Sequence, residues 1–153
     1  MQSKSNINIK VSKINDNSIL PKFGSEHSAG ADLYACLPNS VTINPGQTVL
    51  ISVGIKTEIP EGYVGLIFAR SGLATKSDLA PANKVGVIDS DYRGEWFVPL
   101  HNHGNMIREV SNGERIAQVI FLPVPVVNFE LVSEEDLLKT NRGEGGFGST
   151  GTK

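Results

Sequence analysis

Apolar residues recur with period two along much of this chain: Ile7, Ile9 and Val11, then Val49, Ile51, Val53, Ile55 and Ile59, then Val64, Leu66 and Phe68. Alternate side chains of an extended backbone share one face, so each run predicts a half-buried strand. Turn formers separate the runs at short intervals: Pro38-Asn39, Asn44-Pro45-Gly46, Pro60-Glu61-Gly62, Ser90-Asp91, Arg93-Gly94, Gly104-Asn105 and Asn112-Gly113. Short strands at that spacing predict an all-β sandwich, jelly roll or barrel. Only Ser71 to Ser77 reads as a short helix, and no stretch sustains a helical period. The run Ile116-Ala117-Gln118-Val119-Ile120-Phe121-Leu122 is apolar on both faces. One exposed sheet cannot bury both faces, so a subunit interface is expected to cover the second.

Composition narrows this picture. A chain of 153 residues with ordinary apolar content can bury one sizeable core, which predicts one domain. Residues 1–140 read as that body and residues 141–153 as a flexible glycine-rich arm, too polar to build a core. The formal net charge is -2 with no block of Lys or Arg, which argues against a nucleic-acid surface. Cys36 is the only cysteine, so no intrachain disulfide forms. No N-terminal stretch combines basic residues with an apolar run, and a reducing cytoplasm is the expected location. The longest apolar stretch, Ile116 to Val127, is broken by Gln118, Pro123 and Pro125 and falls short of the roughly 20 residues of a membrane span. A soluble protein without membrane contact is expected.

The arm carries the first chemical signal. Gly143, Gly145 and Gly148 match G-x-G-x-x-G, but neither the strand, the helix nor the later acid of a dinucleotide site accompanies them. The arm also spells G-x-x-x-x-G before Ser149-Thr150, without the lysine of a P-loop. The physical content outlives both mismatches. Glycines let successive N–H groups converge on an anion, Arg142 can pair with phosphate, and Phe147 can stack on a planar base.

Five separated segments then occur in order: Ala29-Gly30-Ala31-Asp32-Leu33, Arg70-Ser71-Gly72-Leu73-Ala74, Gly86 to Glu95 (GVIDSDYRGE), Gly113-Glu114-Arg115-Ile116-Ala117-Gln118, and Arg142 to Gly151 (RGEGGFGSTG). Together they resemble the motifs of the trimeric dUTPases across nearly the whole chain. Departures are small: Ala69 stands where that family usually has proline, and Glu114 where it often has aspartate. The resemblance implies a jelly-roll (distorted β-barrel) subunit, a homotrimer with shared active sites, a requirement for Mg²⁺, and cleavage of dUTP to dUMP and pyrophosphate.

Cleavage needs a water attacking the α-phosphorus in line, and a general base helps. Asp89 follows Val87-Ile88 and precedes a turn, a strand-end position where a carboxylate can polarise a water or simply accept N–H bonds of its own turn. The resemblance makes it the base. Asp32 can cap a turn, or hold a water of a hydrated Mg²⁺, since that ion keeps several waters; the resemblance favours the second, indirect role. Arg70, Ser71, Gly72 and Gln118 supply donors for phosphate oxygens or for orienting the base. In relatives the hairpin from Asn83 to Arg93 reads uracil through the Asn side chain and main-chain groups, here Asn83, Gly86, Val87 and Ile88. Cytosine would leave buried groups unpaired, which is costly. Tyr92 is expected under the sugar, leaving no space for a 2′-hydroxyl. Arg142, Phe147, Gly148 and Ser149 are expected to close over phosphates and base.

Other residues read as bland. His101 and His103 alternate onto one face without a third metal ligand, Trp96 and Phe97 pack, Arg115 pairs locally with Glu114, and Cys36 is a small core residue. Two rival functions stand beside the first. A dCTP deaminase shares the fold but uses a glutamate, and Phe97-Val98-Pro99-Leu100 offers no acid there. A non-catalytic jelly-roll binding protein would retain the fold without turnover.

Overall fold

The computed structural model describes residues 6–146. Expectations for Phe147, Gly148 and Ser149 therefore lie outside the described residues. In chain order the elements are β1 (Lys10–Lys13), β2 (Lys22–Phe23), β3 (Ala31–Tyr34), β4 (Val41–Ile43), β5 (Thr48–Ser52), β6 (Ile55–Glu58) and β7 (Tyr63–Phe68). Helix α1 (Ser71–Ser77) follows, then β8 (Leu79–Pro81), β9 (Gly86–Ile88), β10 (Phe97–Asn102), β11 (Arg108–Val110) and β12 (Arg115–Pro123). The fold is all-β, and the one α-helix of the described residues has the bounds its sequence predicted.

Strands pair antiparallel in four sheets, of order β1-β6, β5-β10-β8, β11-β4 and β2-β3-β12-β7-β9. They wrap one core in which Leu33, Ile43, Ile51, Val53, Ile55, Trp96, Leu100, Ile116 and Val119 are each at most 1 % exposed. Each such side chain stabilises the fold by about 1.5–3 kcal/mol. Cys36 is buried, as expected. The apolar run from Val49 to Ile59 is one alternating pattern but two strands, because the chain bends at Gly54 with φ +72°. A Cβ there would come within 2.6 Å of Cys36 and Ser18, so only glycine serves.

β7 differs from expectation in which face it buries. Gly65 and Ile67 point into the core, while Val64, Leu66 and Phe68 lie half-buried on the other side. There they stand opposite Leu122, Ile120 and Gln118 of β12. Both central strands are thus two-sided, and alternation alone marks an apolar face without saying which one the subunit itself covers. Beyond Pro123 the chain leaves the body, and Val126, Phe129, Leu131 and Leu138 are each more than 90 % exposed. Among the described residues no helix is long and apolar enough to cross a membrane.

Candidate active site

Val87, Asp89, Ser90, Asp91 and Arg93 border an open cleft of about 1090 Å³ beside Val64 and Leu66 of β7, and motif residues otherwise gather in two smaller clefts. The first, of about 430 Å³, lies where β3, β12 and the β7–α1 junction meet, and is lined by Gly30, Asp32, Arg70, Ser71, Gly72, Arg115 and Gln118, among others. Asp32 stands between Lys22 and Gln118 in the sheet, in the middle of the ladder. Its carboxylate accepts from Arg70 Nε at 2.7 Å and from Arg115 Nη1 at 3.3 Å. Arg115 therefore pairs with Asp32 rather than with Glu114, and belongs to the cleft. A register shift between Arg115 and Ala117 explains its reach, since a bulge re-aims the side chain beside it.

Gln118 plays a supporting part in this cleft. Its Nε2 donates to the carbonyl of Ala69 at 2.9 Å, fixing the chain just before Arg70. A Cβ on Gly30 would fall 2.5 Å from Gln118 Oε1, so that glycine makes room for the amide. Ser71 and Gly72 open α1, where first-turn N–H groups have no intrahelical acceptor, and both residues are exposed. The cleft thus presents two guanidiniums, a hydroxyl and free backbone donors, a set suited to anionic oxygens.

The second cleft, of about 240 Å³, is lined by Asn83, Gly86, Val87, Ile88, Asp89, Tyr92, Glu95, Trp96 and Phe97, with Ile67 at its floor. The segment from Asn83 to Arg93 is not a two-stranded hairpin: β9 pairs only with β7, and β8 with β10. β9 is consequently an edge, whose outer N–H and C=O groups are free to meet a ligand as they would another strand. Gly86 lets Asn83 lie close, its Nδ2 being 3.4 Å from where a Cβ would sit. Asp89 is exposed, and its carbonyl, not its carboxylate, closes the following turn by accepting from Tyr92 N at 3.2 Å. Tyr92 is 43 % exposed and its Oη donates to the carbonyl of Glu95 at 3.0 Å. Trp96 is core, as expected, but Phe97 is 45 % exposed and walls the cleft.

No residue lines both clefts. Gly86 stands opposite Ile67 and Ile88 opposite Gly65, so Asp89 continues toward the start of β7 while Arg70 lies past its end. Along β7 the level of Asp89 and that of Arg70 are some six residues apart, or about 20 Å within one chain. Arg142 lines neither cleft; its Nε donates to the carbonyl of Gly145 at 2.7 Å in a turn of the arm.

His101 and His103 share a face, rings edge-on with centroids 4.4 Å apart. Lost hydration and the neighbouring His101 push the pKa of the exposed His103 below its ordinary value. No group of three or more His, Cys, Asp or Glu among the described residues is placed to hold a metal. Asp32 is the one carboxylate of the first cleft and is already engaged by two arginines. That donor set fits a divalent cation carried on a ligand's phosphates and met through water, not one gripped by protein oxygens.

The family model described as dUTPase matches residues 16–151. The chain is 52% identical over 133 residues to the deoxyuridine 5′-triphosphate nucleotidohydrolase of Desulfitobacterium hafniense strain Y51, covering 86% of this chain and 87% of that one. It is 44% identical over 145 residues to the enzyme of the same name from Syntrophotalea carbinolica, covering 95% and 97%. The solved dUTPase of Staphylococcus bacteriophage 80alpha with dUPNHPP is 26% identical, with TM-score 0.85 over 95% of this chain and 99% of that one. The chain belongs to the dUTPase family, as a jelly-roll enzyme subunit.

Proposed function

We propose that this protein hydrolyses dUTP to dUMP and pyrophosphate at sites shared between the subunits of a homotrimer. The observation that carries the reading is the separation of the two clefts. A general base must come within hydrogen-bond reach of its water, about 3 Å. Asp89 and the phosphate-binding donors of the same chain stand about 20 Å apart along β7 and cannot act on one α-phosphorus. Asp89 of one subunit beside Arg70 of another resolves this. Two surfaces support such an assembly: the Val64, Leu66, Ile120 and Leu122 face of the central strands, and the exposed Val126, Phe129 and Leu131 beyond β12.

In this site the free edge of β9 and Asn83 pair with the edge of uracil, and Tyr92 packs under a sugar without a 2′-hydroxyl. Asp89 takes the proton of the attacking water. Arg70, Ser71 and Gly72 bind phosphate oxygens, and Gln118 positions them through the Ala69 carbonyl. Residues 141–153 form the arm that closes over the ligand, with Arg142 and Ser149 on phosphates and Phe147 and Gly148 over the base. Asp32 would meet, through a water, a Mg²⁺ carried on the triphosphate, and that ion would offset the phosphate charge. In the cytoplasm the reaction keeps uracil out of DNA and supplies dUMP for thymidylate synthesis.

Pyrophosphate release from dUTP and from the four DNA deoxynucleoside triphosphates, with Mg²⁺ and with chelator, tests the reading. Release from dUTP alone and only with the ion is expected. Equal release from dCTP or dTTP, or none from dUTP, contradicts it.

A further inference from the structure

We infer that Ser52 and Glu95 form a latch that positions the Tyr92 ring, and with it the rejection of ribonucleotides; this rests on the reading of the site above. The loop from Asp89 to Glu95 joins an edge strand to β10 and is largely exposed. Its internal bonds, Tyr92 N to the Asp89 carbonyl at 3.2 Å and Arg93 Nη1 to the Ser90 carbonyl at 2.7 Å, hold its shape but not its place. The side chain that ties it to the body is Glu95, whose carboxylate accepts from the Ser52 hydroxyl.

Three features give that bond a consequence at the ring. Ser52 Oγ itself accepts from the N–H of Gly54 at 3.0 Å, which commits its proton to Glu95. Gly54 is buried at the β5–β6 bend, so the latch is rooted in the core. At the other end, Tyr92 Oη donates to the backbone carbonyl of the same Glu95 at 3.0 Å. Gly94 completes the fit, because any Cβ there would overlap the Tyr92 ring and hydroxyl. Position therefore reaches the ring tip by two routes that meet at Glu95: the Trp96 N–H donating to the Ile55 carbonyl at 3.0 Å holds the backbone, and the Ser52–Glu95 bond, rooted at Gly54, holds the side chain. Ser52 lines neither cleft and acts as a positioning residue, and the Glu95 carboxylate is committed to it. A platform displaced by loss of the bond opens the space a 2′-hydroxyl needs, while the β9 edge and the Arg70 cleft keep their contacts.

The test is steady-state kinetics of the assembled enzyme with dUTP and with UTP, kcat and KM resolved, for Ser52→Ala, Glu95→Ala, the double variant, Ser52→Thr and Tyr92→Ala. Ser52→Ala should lower the dUTP over UTP ratio of kcat/KM on the order of 10-fold, chiefly through UTP, with kcat for dUTP nearly unchanged, and Glu95→Ala, at a residue lining the second cleft, should lower the same ratio by at least as much. The double variant should do no more than the larger single, since both break one bond. Ser52→Thr should restore the ratio, and Tyr92→Ala should set the largest loss. An unchanged ratio with a lowered melting temperature overturns the latch and leaves an ordinary structural bond. A wild-type enzyme that turns over dUTP without preferring it to UTP overturns the role of Tyr92, and the latch with it; one that does not turn over dUTP overturns the reading of the site.

Discussion

The cleft around Arg70 is held by bonds between residues 38 and 83 apart in sequence, Arg70 and Arg115 each to Asp32. The loop around Tyr92 is shaped by bonds between residues three apart, Tyr92 to Glu95 and Arg93 to Ser90. The first region exists only once the five-stranded sheet has formed, and its charged groups are matched within one chain. The second follows a sheet edge, is open on the side of its unpaired backbone, and carries an exposed carboxylate. One region holds two arginines and a carboxylate already paired with both, and the other an exposed Asp89 carboxylate with no basic side chain in its lining. On the proposed reading the two are joined, and the 20 Å or so between them along β7 makes that join one between chains.

Asp89→Asn should break the contrast most sharply. It removes the base and little else, so turnover should fall by a factor on the order of 10² or more while dUTP binding, followed by titration, stays nearly intact. Retained turnover would move the base elsewhere. In the other region, Arg70→Ala should lower kcat/KM on the order of 10-fold and also cost about 1–2 kcal/mol of stability, because Asp32 loses the nearer of its two partners. A fall in activity without any shift of the unfolding midpoint would show that this cleft is less prebuilt than its long-range bonds imply. Gly30→Ala should have the smallest effect. Its Cβ displaces the flexible end of Gln118, loosening the Ala69 carbonyl, for about 1 kcal/mol and a few-fold rise in KM. Unaltered kinetics would remove Gln118 from the positioning of Arg70.

The same contrast explains what could be read from sequence. Apart from the Ser52–Glu95 bond, the bonds that shape the Tyr92 loop are local, so one continuous segment, Gly86 to Glu95, displays most of that cleft, and α1 is equally plain from Ser71 to Ser77. The edge character of β9 was hidden, because pairing with β7 rather than with β8 is a matter of topology. Arg115 was assigned to its sequence neighbour Glu114 because nothing local reveals a bulge that turns it to Asp32. The latch was invisible for the same reason: Ser52 and Glu95 meet only because β10 lies beside β5. Period-two alternation located β7 but not its buried face, since a strand apolar on both sides has two equivalent readings until its neighbours are known.

Whether the two clefts of one chain serve different active sites is tested most directly by mixing two defects. Asp89→Asn chains and Arg70→Ala chains, impaired as homo-oligomers on the order of 10²-fold and 10-fold respectively, would be unfolded together in equal amounts, refolded, and assayed for pyrophosphate release from dUTP at concentrations below KM, with mixed assembly verified by mass. If base and anion donors at a site come from different chains, random assembly gives roughly a quarter of the sites both intact groups, and activity should return well above the sum of the parents. Mixed assemblies that show only that sum would place Asp89 and Arg70 of one chain in one site, contrary to their separation along β7.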